Sequence, residues 1–145
     1  MIRAVLDTNV LISSLLKPTS VPARIREAWE DRLSVLCLSK DLFRELVEVL
    51  DRPKIKKATR VSESEITAFL RSVPKAADFF VGAIPQVNAI AEDPDDDIVI
   101  ATALATNANV IVSGDQHLLN LGDYDGIPMM TPRSFLQLLE AEWLP

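Results

Sequence analysis

Two apolar stretches each end at an aspartate and decide the fold: Ile2-Arg3-Ala4-Val5-Leu6-Asp7 and Asn109-Val110-Ile111-Val112-Ser113-Gly114-Asp115. Runs of this length and composition are typical of strands buried on both faces, as in a parallel sheet covered by helices. Ligands bind such sheets beyond the carboxyl ends of the strands, where the strand order reverses. If these two strands are neighbours, both aspartates lie in one crevice.

The rest of the chain alternates predicted strands and helices. The further strands are Val35–Leu38, Asp78–Val81, Val87–Ile90 and Pro128–Met130. The helices are Val10–Leu16, Ala23–Glu30, Lys40–Leu50 after an N-cap at Ser39, Ser62–Val73, one capped by Asp95 or Asp96 that runs to Thr106, and one opened by Pro132. This order predicts one doubly wound α/β domain over residues 1–145.

Composition excludes several classes of function. The four glycines all lie at or beyond Gly82, so no GxGxxG or Walker-type phosphate loop can be written. His117 is the only histidine, which excludes HExxH zinc enzymes. Cys37 is the only cysteine, so an internal disulfide is excluded and a cytoplasmic location is expected. No apolar run approaches the ~20 residues that span a bilayer.

Charge is divided unevenly along the chain. Residues 1–75 carry a net charge of +4, and residues 76–145 carry −10. Acid is densest in 92–97, with five carboxylates in six positions, and base is densest in 52–60, with five cations in nine positions. This separation suits an enzyme that holds a cation and receives a polyanion. From charge alone, two solvated loops of opposite sign are the favoured interpretation.

The acidic positions point to a divalent cation. Two carboxylates about 4 Å apart repel by about 4 kcal/mol at an effective dielectric of about 20, so several together need compensation. The sequence near Asp96 and Asp115 offers no Lys or Arg. Oxygen ligands without His or Cys favour Mg²⁺ or Mn²⁺. A calcium loop starting at Asp93 fails, because Ile98 and Leu104 occupy the positions that need glycine and glutamate.

A further acid lies on the predicted helix Lys40–Leu50. Its apolar stripe runs along one face, and Glu48 lies opposite that stripe as a solvated residue. Glu45 lies at the flank of the stripe, a position that suits either a carboxylate facing a cleft or an ordinary surface acid.

Four motifs in this order resemble the PIN domain, and more narrowly the bacterial and archaeal PIN proteins classed as toxins of toxin–antitoxin pairs (VapC-like ribonucleases). The resemblance spans residues 3 to about 137. The motifs are Leu6-Asp7-Thr8-Asn9-Val10-Leu11-Ile12, Leu42-Phe43-Arg44-Glu45-Leu46, Asp93-Pro94-Asp95-Asp96-Asp97 with Ala101-Thr102-Ala103, and Val112-Ser113-Gly114-Asp115 with Leu118-Leu119.

The resemblance implies a three-layer α/β/α fold with a central, mainly parallel twisted sheet, and a Mg²⁺- or Mn²⁺-dependent endoribonuclease. Carried over by position, the metal-binding and catalytic quartet is Asp7, Glu45, Asp96 and Asp115. Residues expected to steady these carboxylates or act in the outer sphere are Asn9, Ser113, Asp93 and Asp97. The cations expected to contact the RNA backbone are Arg52, Lys54, Lys56, Lys57 and Arg60.

By analogy with the family, the expected partners are an RNA substrate, a small cognate antitoxin and a second copy of the chain in a homodimer or higher homo-oligomer. Alternatives within the family are a nuclease of RNA processing and a catalytically silent module that binds RNA or a partner. A haloacid-dehalogenase-type phosphatase is disfavoured because Asn9 stands where its second aspartate is required, and Arg133 is the only cation after Lys75. A phospho-receiver domain, like that phosphatase, needs a lysine late in the chain, and this sequence has none after Lys75.

Overall fold

The computed structural model of the chain describes residues 1–89 and 94–143, except the side chains of residues 94–96 and 143. The strands are β1 (Arg3–Leu6), β2 (Val35–Ser39), β3 (Asp78–Phe80), β4 (Val110–Val112), β5 (Asp123–Tyr124) and β6 (Ile127–Met130). The helices are α1 (Thr8–Leu16), α2 (Val21–Glu30), α3 (Lys40–Leu50), α4 (Pro53–Ala58), α5 (Glu63–Ala76), α6 (Pro94–Thr106), α7 (Gln116–Leu121) and α8 (Pro132–Trp143).

The strands form one twisted α/β sheet in the order β3-β2-β1-β4-β6-β5. All neighbours are parallel except β5 and β6, which are antiparallel. After β1 the chain adds β2 and β3 on one side, and it then crosses back to add β4 and β6 on the other. Because crossovers between parallel strands are right-handed, this reversal places helices on both faces. The predicted three-layer architecture with a mainly parallel sheet is confirmed.

The core lies along β1, β2 and β4, whose side chains are buried nearly completely except for the half-buried Arg3 and Val35 that begin β1 and β2. Helix α6 packs on β1, β2, β3 and β4, while α1 packs on α2 and α2 on α8. Burial on both faces explains why the central strands are continuous apolar runs rather than alternating ones. Among the described helices, none combines the length and apolarity that a membrane span requires.

Two local predictions were wrong. No strand forms over residues 87–89, and the predicted Ile90 lies outside the described residues. The Ala89 N–H instead donates to Asp97 Oδ1 at 3.0 Å, so this backbone is held by a side chain rather than by a ladder. The basic run, for which no helix was predicted, contains the short helix α4, with Pro53 in its first turn. Helix α6 begins at Pro94, so Asp95 and Asp96 follow its first residue and are not its cap.

The C-terminal helix belongs to the core, and one pair of adjacent leucines tests this. Leu139 is fully buried, whereas Leu138 is 40% exposed. Leu139→Ala removes buried methyl groups and leaves a cavity, so we expect it to lower the free energy of unfolding by about 2–5 kcal/mol. Leu138→Ala is the matched control on the same helix, and a change within about 0.5 kcal/mol is expected. Urea denaturation of both variants measures this, and equal losses would contradict the packing of α8.

Candidate metal and catalytic site

The two aspartates that end the apolar strands lie at the same edge of the sheet. Strands β1 and β4 are neighbours, with Leu6 opposite Val112. The pairing continues one residue further, because the Asp7 N–H donates to the Val112 carbonyl at 3.0 Å. The order in which the chain adds strands reverses between β1 and β4, so this edge is the switch point at which α/β sheets bind ligands.

Asp7 is a buried carboxylate held at the start of α1. It is the N-cap of that helix, and its Oδ1 accepts the Val10 N–H at 3.0 Å. Only 5% of the residue is exposed. Burial raises the pKa of the Asp7 carboxyl, and the neighbouring Asp115 raises that pKa further. Hydrogen bonds from the Ser113 hydroxyl and the Val10 backbone oppose this rise in pKa, but they do not cancel it.

Ser113 connects the two aspartates. Its hydroxyl donates to Asp7 Oδ2, and its Oγ accepts the Asp115 N–H at 2.9 Å. Ser113 is fully buried, and its own N–H donates to the Met130 carbonyl of β6. Ser113 Oγ therefore contacts both aspartates, as a donor to Asp7 and as an acceptor from Asp115.

Asp115 is the more accessible of the pair. It is the N-cap of α7, with Oδ1 accepting the His117 N–H at 2.7 Å. Its side chain is 28% exposed, and the exposed His117 imidazole lies 3.7 Å from the same oxygen. The two carboxylates thus differ in exposure. Asp7 is buried, whereas the Asp115 side chain is partly accessible to solvent.

Glu45 lies on α3, which begins where β2 ends. Ser39 is the last residue of β2 and the N-cap of α3, so this helix starts at the same edge of the sheet as the two aspartates. Helix α3 packs against α1 and α6. Glu45 is half-buried, and its Oε2 atom is buried. The Glu45 carboxylate is thus partly withdrawn from solvent.

The remaining predicted site residues are described to different extents by the structure. The chain puts Asp96 in the third position of α6, but its side chain lies outside the described part, as does all of Asp93. The Asp97 carboxylate accepts from the Ala89 backbone, so it holds the preceding loop. Asn9 is exposed, and the contact resolved between it and Asp7 comes from its backbone N–H, which lowers the pKa of the Asp7 carboxyl.

The donor chemistry of this edge fits a hard divalent cation. Asp7, Asp115 and Glu45 offer oxygen ligands, as Mg²⁺ and Mn²⁺ prefer. Asp7 in particular is a buried carboxylate beside a second one, an arrangement that a cation compensates. No three described His, Cys, Asp or Glu side chains come close enough together to hold a metal, and the Asp96 side chain lies outside the described part. The fit therefore rests on donor type and on the Asp7–Ser113–Asp115 contacts.

The predicted RNA-contacting cations lie on and around α4. Arg52, Lys54, Lys57 and Arg60 are exposed. Lys56 differs, because its Nζ lies 3.0 Å from Asp51 and 3.4 Å from Glu63, and these contacts raise the pKa of its ammonium group. Lys56 thus already interacts with two carboxylates.

Both site aspartates are helix N-caps, a role that was not predicted for them. The signal was present, since Asp7 and Asp115 each directly precede a helix, and Asp is a favoured N-cap. Thr8 was also not among the predicted site residues. Its hydroxyl oxygen is buried beside Asp7 with no hydrogen-bond partner among the described residues.

Comparison with known proteins agrees with the fold and the motifs. The chain is 27% identical over 148 residues to the uncharacterized protein MJ1680 of Methanocaldococcus jannaschii, with 96% of this chain and 92% of that protein covered. The crystal structure of PAE2754 from Pyrobaculum aerophilum superposes with a TM-score of 0.60 at 16% identity, covering 97% of this chain and 90% of the other, and so shares its fold. The family profile of the PIN domain matches residues 3–117, and the chain belongs to the PIN domain family.

Proposed function

We propose that this protein is a Mg²⁺- or Mn²⁺-dependent endoribonuclease. PIN domains are generally nucleases. The observation that carries the proposal is the buried Asp7 carboxylate, which Ser113 links to Asp115 at the switch point of the sheet. A charged carboxylate at this buried position costs free energy unless a cation compensates it. A purely structural role would therefore not favour a charged residue here.

The residues of the site have distinct parts in the proposed hydrolysis. Asp7, Glu45, Asp96 and Asp115 would hold the cation. When bound, the cation supplies Lewis acidity, which activates water and offsets the charge that develops on the scissile phosphate. Ser113 keeps Asp7 Oδ2 in one orientation, and the Val10 N–H does the same for Oδ1. In this proposal Asp115, whose side chain is 28% exposed, would receive a proton from the attacking water.

The exposed cations around α4 supply the RNA affinity in this proposal. Arg52, Lys54, Lys57 and Arg60 are placed on one short segment that follows α3. Helix α3 has 11 residues, which at 1.5 Å per residue extends about 16 Å from its start at the site edge. An RNA strand of a few nucleotides covers such a distance, and its phosphates would meet these side chains.

The toxin role of a toxin–antitoxin pair is the biological setting that we propose for this activity, within the cytoplasm and with a small cognate antitoxin and a second copy of the chain as partners. Its support is the motif resemblance. A nuclease of RNA processing would use the same acidic site, and a silent binding module would keep the fold without cutting.

Cleavage of end-labelled single-stranded RNA with Mn²⁺ or Mg²⁺ tests the activity. We expect the wild type to cut and a chelator to stop it. Asp115→Asn and Asp96→Asn remove a ligand charge, and we expect each to lower the rate at least about a hundredfold. Asn caps helices as well as Asp, so Asp115→Asn should fold normally.

Asp123→Asn is the matched control for this assay, because Asp123 is exposed on β5. It should cut like the wild type. Retained cutting in Asp96→Asn and Asp115→Asn, or cutting that persists in chelator, would contradict the proposal. Cation binding without cutting would favour the silent binding module.

Thermal denaturation tests the cost of the buried charge. Asp7→Asn keeps a good N-cap but removes the negative charge. In chelator at neutral pH we expect the variant to melt about 2–4 °C higher than the wild type. Adding Mn²⁺ should raise the melting temperature of the wild type and leave that of Asp7→Asn unchanged. A lower melting temperature for the variant in chelator, or an equal response to Mn²⁺, would show that Asp7 is a structural residue.

Salt dependence of RNA binding tests the segment around α4. In chelator, Lys54→Ala with Lys57→Ala should weaken binding and reduce the slope of log K against log salt by about 1.4, or about 0.7 for each phosphate that is no longer neutralised. The charge-matched control is Arg71→Ala with Lys75→Ala, two exposed cations on α5. An equal change in the control would indicate an unlocalised charge effect and would remove the assignment to this segment.

A further inference from the structure

We propose that a buried hydroxyl pair, Ser39 and Thr102, positions α3 and α6 relative to one another and thereby sets the affinity of the acidic site for its divalent cation. The inference rests on the proposed function, because α3 carries Glu45 and α6 carries Asp96. Both hydroxyl residues are fully buried, and neither touches Asp7 or Asp115 in the described contacts.

The direction of the hydrogen bonds follows from counting protons. The two hydroxyl oxygens are 2.7 Å apart. Thr102 Oγ1 donates its proton to the Ile98 carbonyl at 2.8 Å, so it can only accept from Ser39. Ser39 Oγ in turn accepts the Leu42 N–H at 3.1 Å. One continuous chain of bonds therefore runs from Leu42 through Ser39 and Thr102 to Ile98.

The ends of this chain lie close in sequence to the proposed ligands. Leu42 is three residues before Glu45 in α3, and Ile98 is two residues after Asp96 in α6. A helix is stiff over such short spans, so fixing Leu42 and Ile98 also fixes the backbone from which the two ligands project. Groups that hydrogen-bond a metal ligand directly typically contribute about 10–100-fold to metal affinity. This chain acts through the helix backbone instead, so an effect at the lower end of that range is expected. Hydrogen bonds in series also polarise one another in a buried setting.

A purely structural role is the competing explanation, and Thr106 allows the two to be distinguished. Thr106 is buried in the same helix and donates to the Thr102 carbonyl at 2.8 Å, the same local bond that Thr102 makes to Ile98. Its hydroxyl is one turn further from Asp96 and has no contact with α3 in the described hydrogen bonds. Thr106→Val thus removes a comparable hydroxyl without breaking the link between the helices.

The experiment measures Mn²⁺ dissociation constants by electron paramagnetic resonance, with melting temperatures in chelator recorded for the same samples. We expect Thr102→Val to weaken Mn²⁺ binding by about tenfold. Thr102→Ser keeps the hydroxyl and should restore affinity to near the wild-type value. Thr106→Val should lower the melting temperature as Thr102→Val does, but keep wild-type affinity.

Ser39→Ala removes the other partner of the same hydrogen bond and should also weaken Mn²⁺ binding. This variant provides the test if Thr102→Val fails to fold. Wild-type affinity in both Thr102→Val and Ser39→Ala would overturn the inference and leave the proposed function standing. Equal weakening in Thr106→Val would overturn it too, since affinity would then follow stability. A wild type that binds no Mn²⁺ would instead overturn the proposed function, and the inference with it.

Discussion

The hydrogen bond from Ser113 to the buried carboxylate of Asp7 joins the ends of β1 and β4, and the geometry of the acidic site depends on it. The same hydroxyl accepts the Asp115 N–H, so one side chain fixes a buried and a partly exposed carboxylate together. Removing a charge from water costs several kcal/mol, and these hydrogen bonds offset only part of that cost. The pKa of the Asp7 carboxyl accordingly stays raised, mainly because of its burial.

The N-caps of three helices are the second structural feature of this site. Asp7, Ser39 and Asp115 each end a strand or the turn after it, and each caps the helix that follows. Capping fixes a short polar side chain against its own backbone at small entropic cost. The parallel sheet brings these three starts to one edge, because parallel strands all end on the same side. The site is thus built from groups that the fold already needs at its helix termini.

Sequence patterns predicted the parallel order of elements because buried strands and amphipathic helices are local signals. The same patterns predicted Asp7 and Asp115 at strand ends. For Glu45 they left two interpretations open, a carboxylate facing a cleft and an ordinary surface acid. They failed for residues 87–89, where apolar composition suggested a strand but the Asp97 carboxylate holds the Ala89 backbone. That bond joins residues eight apart through a side chain, and no periodicity reports it.

The sequence by itself determined the α/β class, the acidic and basic division of the chain and the residue types available for chemistry, because these follow from composition and local periodicity. Only the tertiary structure decided that β1 lies beside β4, that Ser113 spans the two aspartates, that Lys56 already interacts with Asp51 and Glu63, and that Ser39 meets Thr102 across 63 positions of chain. Such pairings depend on which elements pack together and on where each side chain loses its water. Both are properties of the assembled core, and neither is encoded in any one segment.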